Sequence, residues 1–261
     1  MTVIVKEDQS LNEVLSSNTS GETMVVVLPK DAVYREKVHC RADNIVVMGN
    51  GSRIIWGDNK GSESATLTVH SVNAVFQNLT VENDFDYPTA RVKQVETAKK
   101  ESLQAVAVYT APEADLVSFD HCTFLGYQGT LLTDSRRALF LECRIEGCID
   151  FISGASTADF HNCEIVSNGA GFIAAPSTKA ETENGLSFLE CTFSCTDNVA
   201  DQMVFLARPW HPCEGTDPYA CFSECKLGRH INNSLWASMH DAFGRIHKPE
   251  ESRFIILDSK R

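Results

Sequence analysis

An all-β fold wound as a single-domain parallel β-helix is what the sequence predicts, on three observations. A Phe-x-x-Cys-x-apolar phrase recurs, short alternating strands follow it, and long amphipathic helical stretches are nearly absent. The phrase stands at Phe119-Asp120-His121-Cys122-Thr123-Phe124 and again at Phe140/Cys143, Phe160/Cys163, Phe188/Cys191 and Phe222/Cys225. A sixth copy, Phe76-Gln77-Asn78-Leu79, has Leu in place of Cys. Phe119, Phe140 and Phe160 are 21 and 20 residues apart, and the later gaps of 28 and 34 leave room for insertions. Self-similarity at such a period marks a solenoid in which one copy is one coil, its repeated Phe and Cys buried as internal ladders. Strands without helices between them exclude a doubly wound sheet, and the Leu-x-x-Leu-x-Leu phrasing of a leucine-rich horseshoe is missing.

The other elements follow in chain order. Ser10 as N-cap with Glu13 three residues on predicts a short capping helix near Leu11 to Ser16, the only helix expected, closing the open end of the solenoid. From Asp84 to Ser102 the strand pattern breaks, with Asp84, Asp86, Tyr87, Pro88, Arg91 and three lysines, which reads as a loop excursion framing a binding face. No linker of low complexity divides the chain, so residues 1–261 read as one domain.

The 23 basic against 35 acidic residues give a net charge of −12, which argues against nucleic acid. No stretch approaches the ~20 apolar residues of a membrane span, and a soluble protein, a monomer, is expected. The start, Met1-Thr2-Val3-Ile4-Val5-Lys6-Glu7-Asp8, lacks the features of a signal peptide, which predicts a cytoplasmic protein unless a leader has been removed. Ten cysteines in so large a chain read as buried free thiols. Cys191/Cys195 and Cys221/Cys225 have C-x3-C spacing but no accompanying histidine pair for zinc. The sequons at Asn18, Asn78 and Asn232 are short enough to arise by chance.

Gln104, Gln128 and Asp150 are separated by 24 and 22 residues, close to one coil each, and are expected to stack on one wall. Asp150 lies in the mostly apolar run Cys148-Ile149-Asp150-Phe151-Ile152-Ser153-Gly154, where alternation puts it opposite Ile149 and Phe151. Taken alone, Asp150 reads as a solvated or salt-bridged carboxylate, and the glutamines as wall residues. No G-x-S-x-G elbow occurs, so a serine esterase of the α/β-hydrolase type has no foothold.

In combination these phrases resemble the pectin methylesterases, carbohydrate esterase family 8, almost end to end. Tyr34-Arg35-Glu36-Lys37-Val38 is similar to the family's Y-x-E-x-V, and Phe76-Gln77-Asn78-Leu79-Thr80-Val81-Glu82-Asn83 to R-N-L-T-x-E-N. Gln104-Ala105-Val106-Ala107-Val108 resembles Q-A-V-A-L, Gly126-Tyr127-Gln128-Gly129-Thr130-Leu131 resembles G-Y-Q-D-T-L, and Asp150-Phe151-Ile152-Ser153-Gly154 resembles D-F-I-F-G. Leu206-Ala207-Arg208-Pro209-Trp210 is similar to L-G-R-P-W, and Pro249-Glu250-Glu251-Ser252-Arg253-Phe254 to the P-E-D-S-R-F close of bacterial members.

The resemblance implies a right-handed β-helix and a metal-independent esterase acting on C6 methyl esters of galacturonate in pectin or oligogalacturonides. It implies Asp150 as nucleophile, Gln128 as oxyanion donor, Gln104 as a second amide, and Arg208 as the partner that aims Asp150 through a bidentate fork. Trp210, Tyr127 and Phe151 are then the expected substrate-binding residues. No cofactor is implied. One residue departs from the pattern: the Asp that would act as general acid and base is Gly129. Ser153 for Phe and Ala207 for Gly are milder departures. Asp134, His211, Glu214 and Asp217, near the matched motifs, are candidates to supply the proton. The alternatives are an ester with a better leaving group, or an impaired homologue that binds uronate oligosaccharides. Without a leader, imported methylated oligogalacturonides are the expected substrate.

Overall fold

The computed structural model describes residues 1–6, 8–98, 101–241 and 243–260. Each copy of the phrase opens on a strand that pairs in parallel with the strand of the coil before it and the coil after it. In chain order these strands are Thr2–Ile4, Met24–Val27, Ile45–Met48, Val72–Gln77, Asp115–Asp120, Arg137–Leu141, Thr157–His161, Leu186–Leu189, Tyr219–Ser223 and Arg253–Leu257. Phe76, Phe119, Phe140, Phe160, Phe188 and Phe222 are directly in register. Their rings stack with centroids 4.5–5.4 Å apart and planes within 15°. Strand spacing and aromatic stacking distance nearly coincide, so one Phe per coil forms a continuous column. The same lane continues through Val26 and Val47 before the first Phe and into Ile256 after the last, where β-branched side chains replace the ring.

Two residues after each Phe the chain turns through a left-handed residue, Asn78, His121, Glu142, Asn162, Glu190 and Glu224, with φ between 49° and 54°. The buried Cys then follows. Cys122, Cys143, Cys163, Cys191 and Cys225 each donate Sγ–H to the carbonyl of the Phe one coil earlier, at 3.3–3.5 Å. All ten cysteines are free thiols.

Beyond the turns lie two further strand faces. One holds Val33–Tyr34, Arg53–Trp56, Thr80–Asn83 and Thr123–Leu125; the other holds Val38–Cys40, Leu67–Val69, Val108–Thr110 and Leu131–Thr133. The long strands Arg144–Gly154 and Glu164–Pro176 run through both and join them. The result is a right-handed parallel β-helix whose core is filled from all three faces.

The capping helix, α1 (Leu11–Val14), is present and shorter than expected. Leu11 and Leu15 plug the end of the core. Its cap differs from the expected box: Glu13 is exposed, Ser10 makes no side-chain cap, and Glu36 from the next coil accepts from the Ser10 hydroxyl (2.8 Å) and the Leu11 N–H (2.9 Å). A second helix, α2 (Tyr87–Thr97), corrects the expectation of one helix and occupies the excursion. Asp86 caps it by accepting from the Thr89 N–H at 3.2 Å, and Ala98 ends it with φ 54°. Of its residues only Tyr87 is buried, so it has no apolar stripe to betray it. Lys99 and Lys100 lie outside the described residues. No described helix is long and apolar enough to cross a membrane.

Phe140 stacks on Phe119 and Phe160 and meets the edge of Phe124. Phe140→Ala is expected to lower unfolding free energy by about 3–5 kcal/mol in urea titration; a loss below about 1 kcal/mol would contradict the column's structural role.

Candidate active site

Asp150 sits where the long strand Arg144–Gly154 loses its regular pairing with Glu164–Pro176. The register runs Gly147↔Ser167, Ile149↔Phe172, Ile152↔Ala174, with irregularities on either side of Ile149. Asp150 itself takes φ 48°, and such a bulge turns a side chain out of the sheet's alternation. Simple alternation therefore fails here. Phe151 and Ile152 both enter the core, each fully buried, while Ile149 packs against the separate cluster of Tyr87, Leu103 and Cys148. The expectation that Phe151 binds substrate is corrected: its ring is fully buried in the core and presents no surface to a ligand.

Arg208 follows the strand Val204–Ala207, two strands away from Asp150 with Glu164–Pro176 between. Its side chain crosses the intervening strand over the Phe172 ring, with Cζ 3.8 Å from the centroid. It then grips the carboxylate with both prongs, Nε to Oδ1 at 2.7 Å and Nη2 to Oδ2 at 2.5 Å. The two side chains are 19% and 18% exposed, so the pair is shielded yet still open to solvent. Phe172 is a supporting residue that sequence reading missed, because nothing local distinguishes it from any other apolar strand position.

The expected stack of Gln104, Gln128 and Asp150 is shifted by one residue. The pairs Gln128↔Ile149 and Leu131↔Ile152 put Gly129, with φ 75°, abreast of Asp150. Gln104 nevertheless reaches the spot, because its side chain leans over Gly129. A Cβ on Gly129 would lie 2.6 Å from Gln104 Cγ and 2.9 Å from Nε2. The amide of Gln104 thus fills the space that an acidic side chain at 129 would need. Neither the Gln104 nor the Gln128 side chain has a hydrogen-bond partner among the described residues.

Tyr127 is half-buried, and Tyr87 from α2 stacks on its ring at 5.3 Å with 11° between planes. Tyr87 also contacts the Cys148 thiol, and burial pushes its hydroxyl up to about 12. Trp210, anchored by its N–H to the Pro176 carbonyl, packs on Ala65, Val106 and Leu132 beside Tyr109. It lines a cleft of about 830 Å³ whose other walls include His211, Glu214 and Met239. Ser153, 2% exposed, keeps an Oγ with no hydrogen-bond partner among the described residues.

The four candidate proton donors are scattered. Asp134 is half-buried, accepts from the Ala155 N–H at 3.1 Å and bonds the Tyr109 hydroxyl; desolvation raises its pKa more than these bonds lower it. His211 stacks on His247 at 3.9 Å, and its Nδ1 bonds Thr216 Oγ1 at 2.7 Å. Burial, then the neighbouring His247 and Arg245, lower the His211 pKa. Asp217 pairs with Arg253 Nε at 2.8 Å. Glu214 is exposed at the cleft rim.

Comparison with known proteins shows the family. A family model described as Pectinesterase matches residues 6–245. Pectinesterase A of Dickeya chrysanthemi is 31% identical, over 97% of this chain and 80% of that protein. The solved pectin methylesterase PemA from Erwinia chrysanthemi superposes with a TM-score of 0.84 at 29% identity, covering 95% of this chain and 83% of that one. The enzyme from Yersinia enterocolitica gives 0.87 at 28%, covering 96% and 89%. A pectin methylesterase solved in complex with a hexasaccharide also gives 0.87 at 28%, covering 98% and 88%. With the fold, the ordered motifs and these matches in agreement, the chain belongs to the pectinesterase family.

Proposed function

We propose that the chain hydrolyses C6 methyl esters of galacturonate units in pectin or oligogalacturonides, with Asp150 as nucleophile and without a general acid at position 129. The observation that carries this reading is the two-pronged Arg208–Asp150 contact at a bulge that aims the carboxylate outward, beside two unpartnered glutamine amides. A hexasaccharide complex of a similar protein supports an oligosaccharide as substrate. An Asp150 oxygen attacks the ester carbonyl carbon, a Gln amide donates to the oxyanion, and methanol leaves as an acyl anhydride with Asp150 forms. Water then cleaves the anhydride and restores the carboxylate. Every part of this sequence has a side chain except the proton given to the departing methoxide and the base for the hydrolytic water, both of which would fall to the residue at 129.

None of the four candidates is well suited to give the proton. Asp134 lies past the far end of strand Leu131–Thr133 from Gly129, with its carboxyl committed to Tyr109 and Ala155. A lowered pKa keeps His211 unprotonated near neutral pH, a base rather than an acid. Asp217 is held by Arg253, and Glu214 sits on an exposed loop. The proton then comes from solvent. This makes methyl ester cleavage slow and favours esters with a better leaving group. A second reading, an impaired homologue that binds uronate oligosaccharides, is favoured by one specific observation: Gln104 already fills the space over Gly129.

Methanol release from methylated oligogalacturonides tests the choice. Slow release that disappears in Asp150→Ala is expected, and Gly129→Asp is expected to raise the rate by roughly 10²–10⁴-fold. Release unchanged in Asp150→Ala would overturn the nucleophile assignment, and release seen only in Gly129→Asp would favour the binding reading.

Asp134 has a separate, structural signature in pH. Its folded-state pKa is raised, so native stability is full below the ordinary carboxylate range and falls as pH rises through the raised value. Asp134→Asn is therefore expected to raise Tm relative to the native chain at pH 7, with the difference vanishing near pH 3.5. Thermal melts at both values check this, and an equal effect at both would contradict the raised pKa.

A further inference from the structure

The three candidate catalytic side chains stand where regular strand pairing gives out. Gln104 precedes the strand Val108–Thr110, Gln128 lies between Thr123–Leu125 and Leu131–Thr133, and Asp150 sits at the interruption in Arg144–Gly154. Single contacts link these stretches of backbone. Gly61↔Ala105 and Gln128↔Ile149 are isolated bridges, the Ala105 N–H donates to the Gln128 carbonyl at 2.9 Å, and the Gly129 N–H donates to the Ile149 carbonyl at 3.0 Å. The Phe column belongs to the main core and locks the ten-stranded sheet, so the site needs a brace of its own.

A satellite cluster apart from the main core provides it. Tyr87, Leu103 and Cys148 are its buried members, and Phe85, Ala90, Tyr127 and Ile149 pack against them. Leu103 immediately precedes Gln104, Tyr127 precedes Gln128, and Ile149 precedes Asp150. One cluster thus holds the neighbour of every candidate catalytic side chain on this wall. Tyr87, the first residue of α2, reaches two of the coils directly: its ring stacks on Tyr127 at 5.3 Å, and its hydroxyl meets the Cys148 thiol. Between those two contacts the Cys148 N–H donates to the Tyr127 carbonyl at 2.8 Å. Nothing else in α2 anchors it so firmly, since Tyr87 is its only buried residue and Val92 and Val95 are exposed. The helix docks through one ring, and that ring braces the site.

We propose that Tyr87 is a positioning residue for the candidate active site, setting Gln128 against Asp150 through Tyr127 and Cys148, with α2 as the strap that carries it. This rests on the esterase reading above. The amide at 128 must meet the oxyanion that the attack of Asp150 creates, and a misplacement of about 1 Å between them forfeits much of the rate. Tyr87 is 7% exposed and acts through its neighbours, not on substrate. Undocking of α2, a local opening that leaves the Phe column intact, separates Gln128 from its working position. The site is complete only while α2 is docked.

Amide hydrogen exchange and methanol release, measured on the native chain, Tyr87→Ala and Tyr87→Phe, test this. Exchange at the Ala105 and Gly129 N–H groups is expected to rise about tenfold or more in Tyr87→Ala and to stay native in Tyr87→Phe, which keeps the stacked ring. The His121 and Glu142 N–H groups, bonded between coils of the Phe column, report an intact fold by unchanged exchange in both variants. On methylated oligogalacturonides, kcat is expected to fall roughly 10–100-fold in Tyr87→Ala with KM near native, and to be largely retained in Tyr87→Phe. Native exchange at Ala105 and Gly129 in Tyr87→Ala would overturn the positioning role, as would faster exchange with kcat unchanged. A rise in KM alone would make Tyr87 a substrate contact and overturn it too. A native chain that releases no methanol would sink the esterase reading by itself, and the exchange comparison would then decide for or against Tyr87 as the brace on the same criterion.

Discussion

Each coil must land on the coil before it in register, and the rest of the molecule depends on that constraint. One strand spacing is close to one aromatic stacking distance, so the Phe column from Phe76 to Phe222 locks each coil against sliding. A slip of one residue would turn every ring out of the core and every polar residue in. The Cys thiols add a second check, because each one donates to the Phe carbonyl of the previous coil.

That register reaches the site. It sets Gly129 abreast of Asp150. The site is also where the regularity is broken. Asp150 holds a left-handed backbone that costs a non-glycine residue about 1–2 kcal/mol, and the Arg208 fork braced on Phe172 holds its side chain in place. A left-handed residue recurs at the turn of each coil; what sets Asp150 apart is that it falls where the register of a long strand is interrupted and that it carries the Arg208 contact. Position 129 shows the opposite change: with no side chain there, Gln104 relaxes into the space.

Much of this was legible in the sequence, for identifiable reasons. The Phe and Cys ladders recur at fixed spacing, so the solenoid could be read from them, and the pairing of Asp150 with Arg208 followed from the resemblance of their motifs. The copies at Val26, Val47 and Ile256 were hidden because valine and isoleucine do not stand out as phenylalanine does. Phe151 was misplaced because a bulge at a left-handed residue cannot be seen in an alternating pattern. Helix α2 went unread because it buries only Tyr87, although Asp86 and Pro88 carried a start signal. The capping partner of α1 was taken to be the local Glu13, when Glu36 comes from the next coil. Contacts between coils are the part of the structure that local spacing does not encode.

The central claim is that Asp150 attacks esters with no side chain to protonate the departing alcohol. First-turnover rates of alcohol release across galacturonate esters of alcohols of falling pKa, from methyl to trifluoroethyl, test it most directly. The account predicts a steep rise in rate from methyl to trifluoroethyl for the native chain, and a much flatter dependence in Gly129→Asp. Equal rates across the native series would show that the proton is already delivered and would contradict the claim.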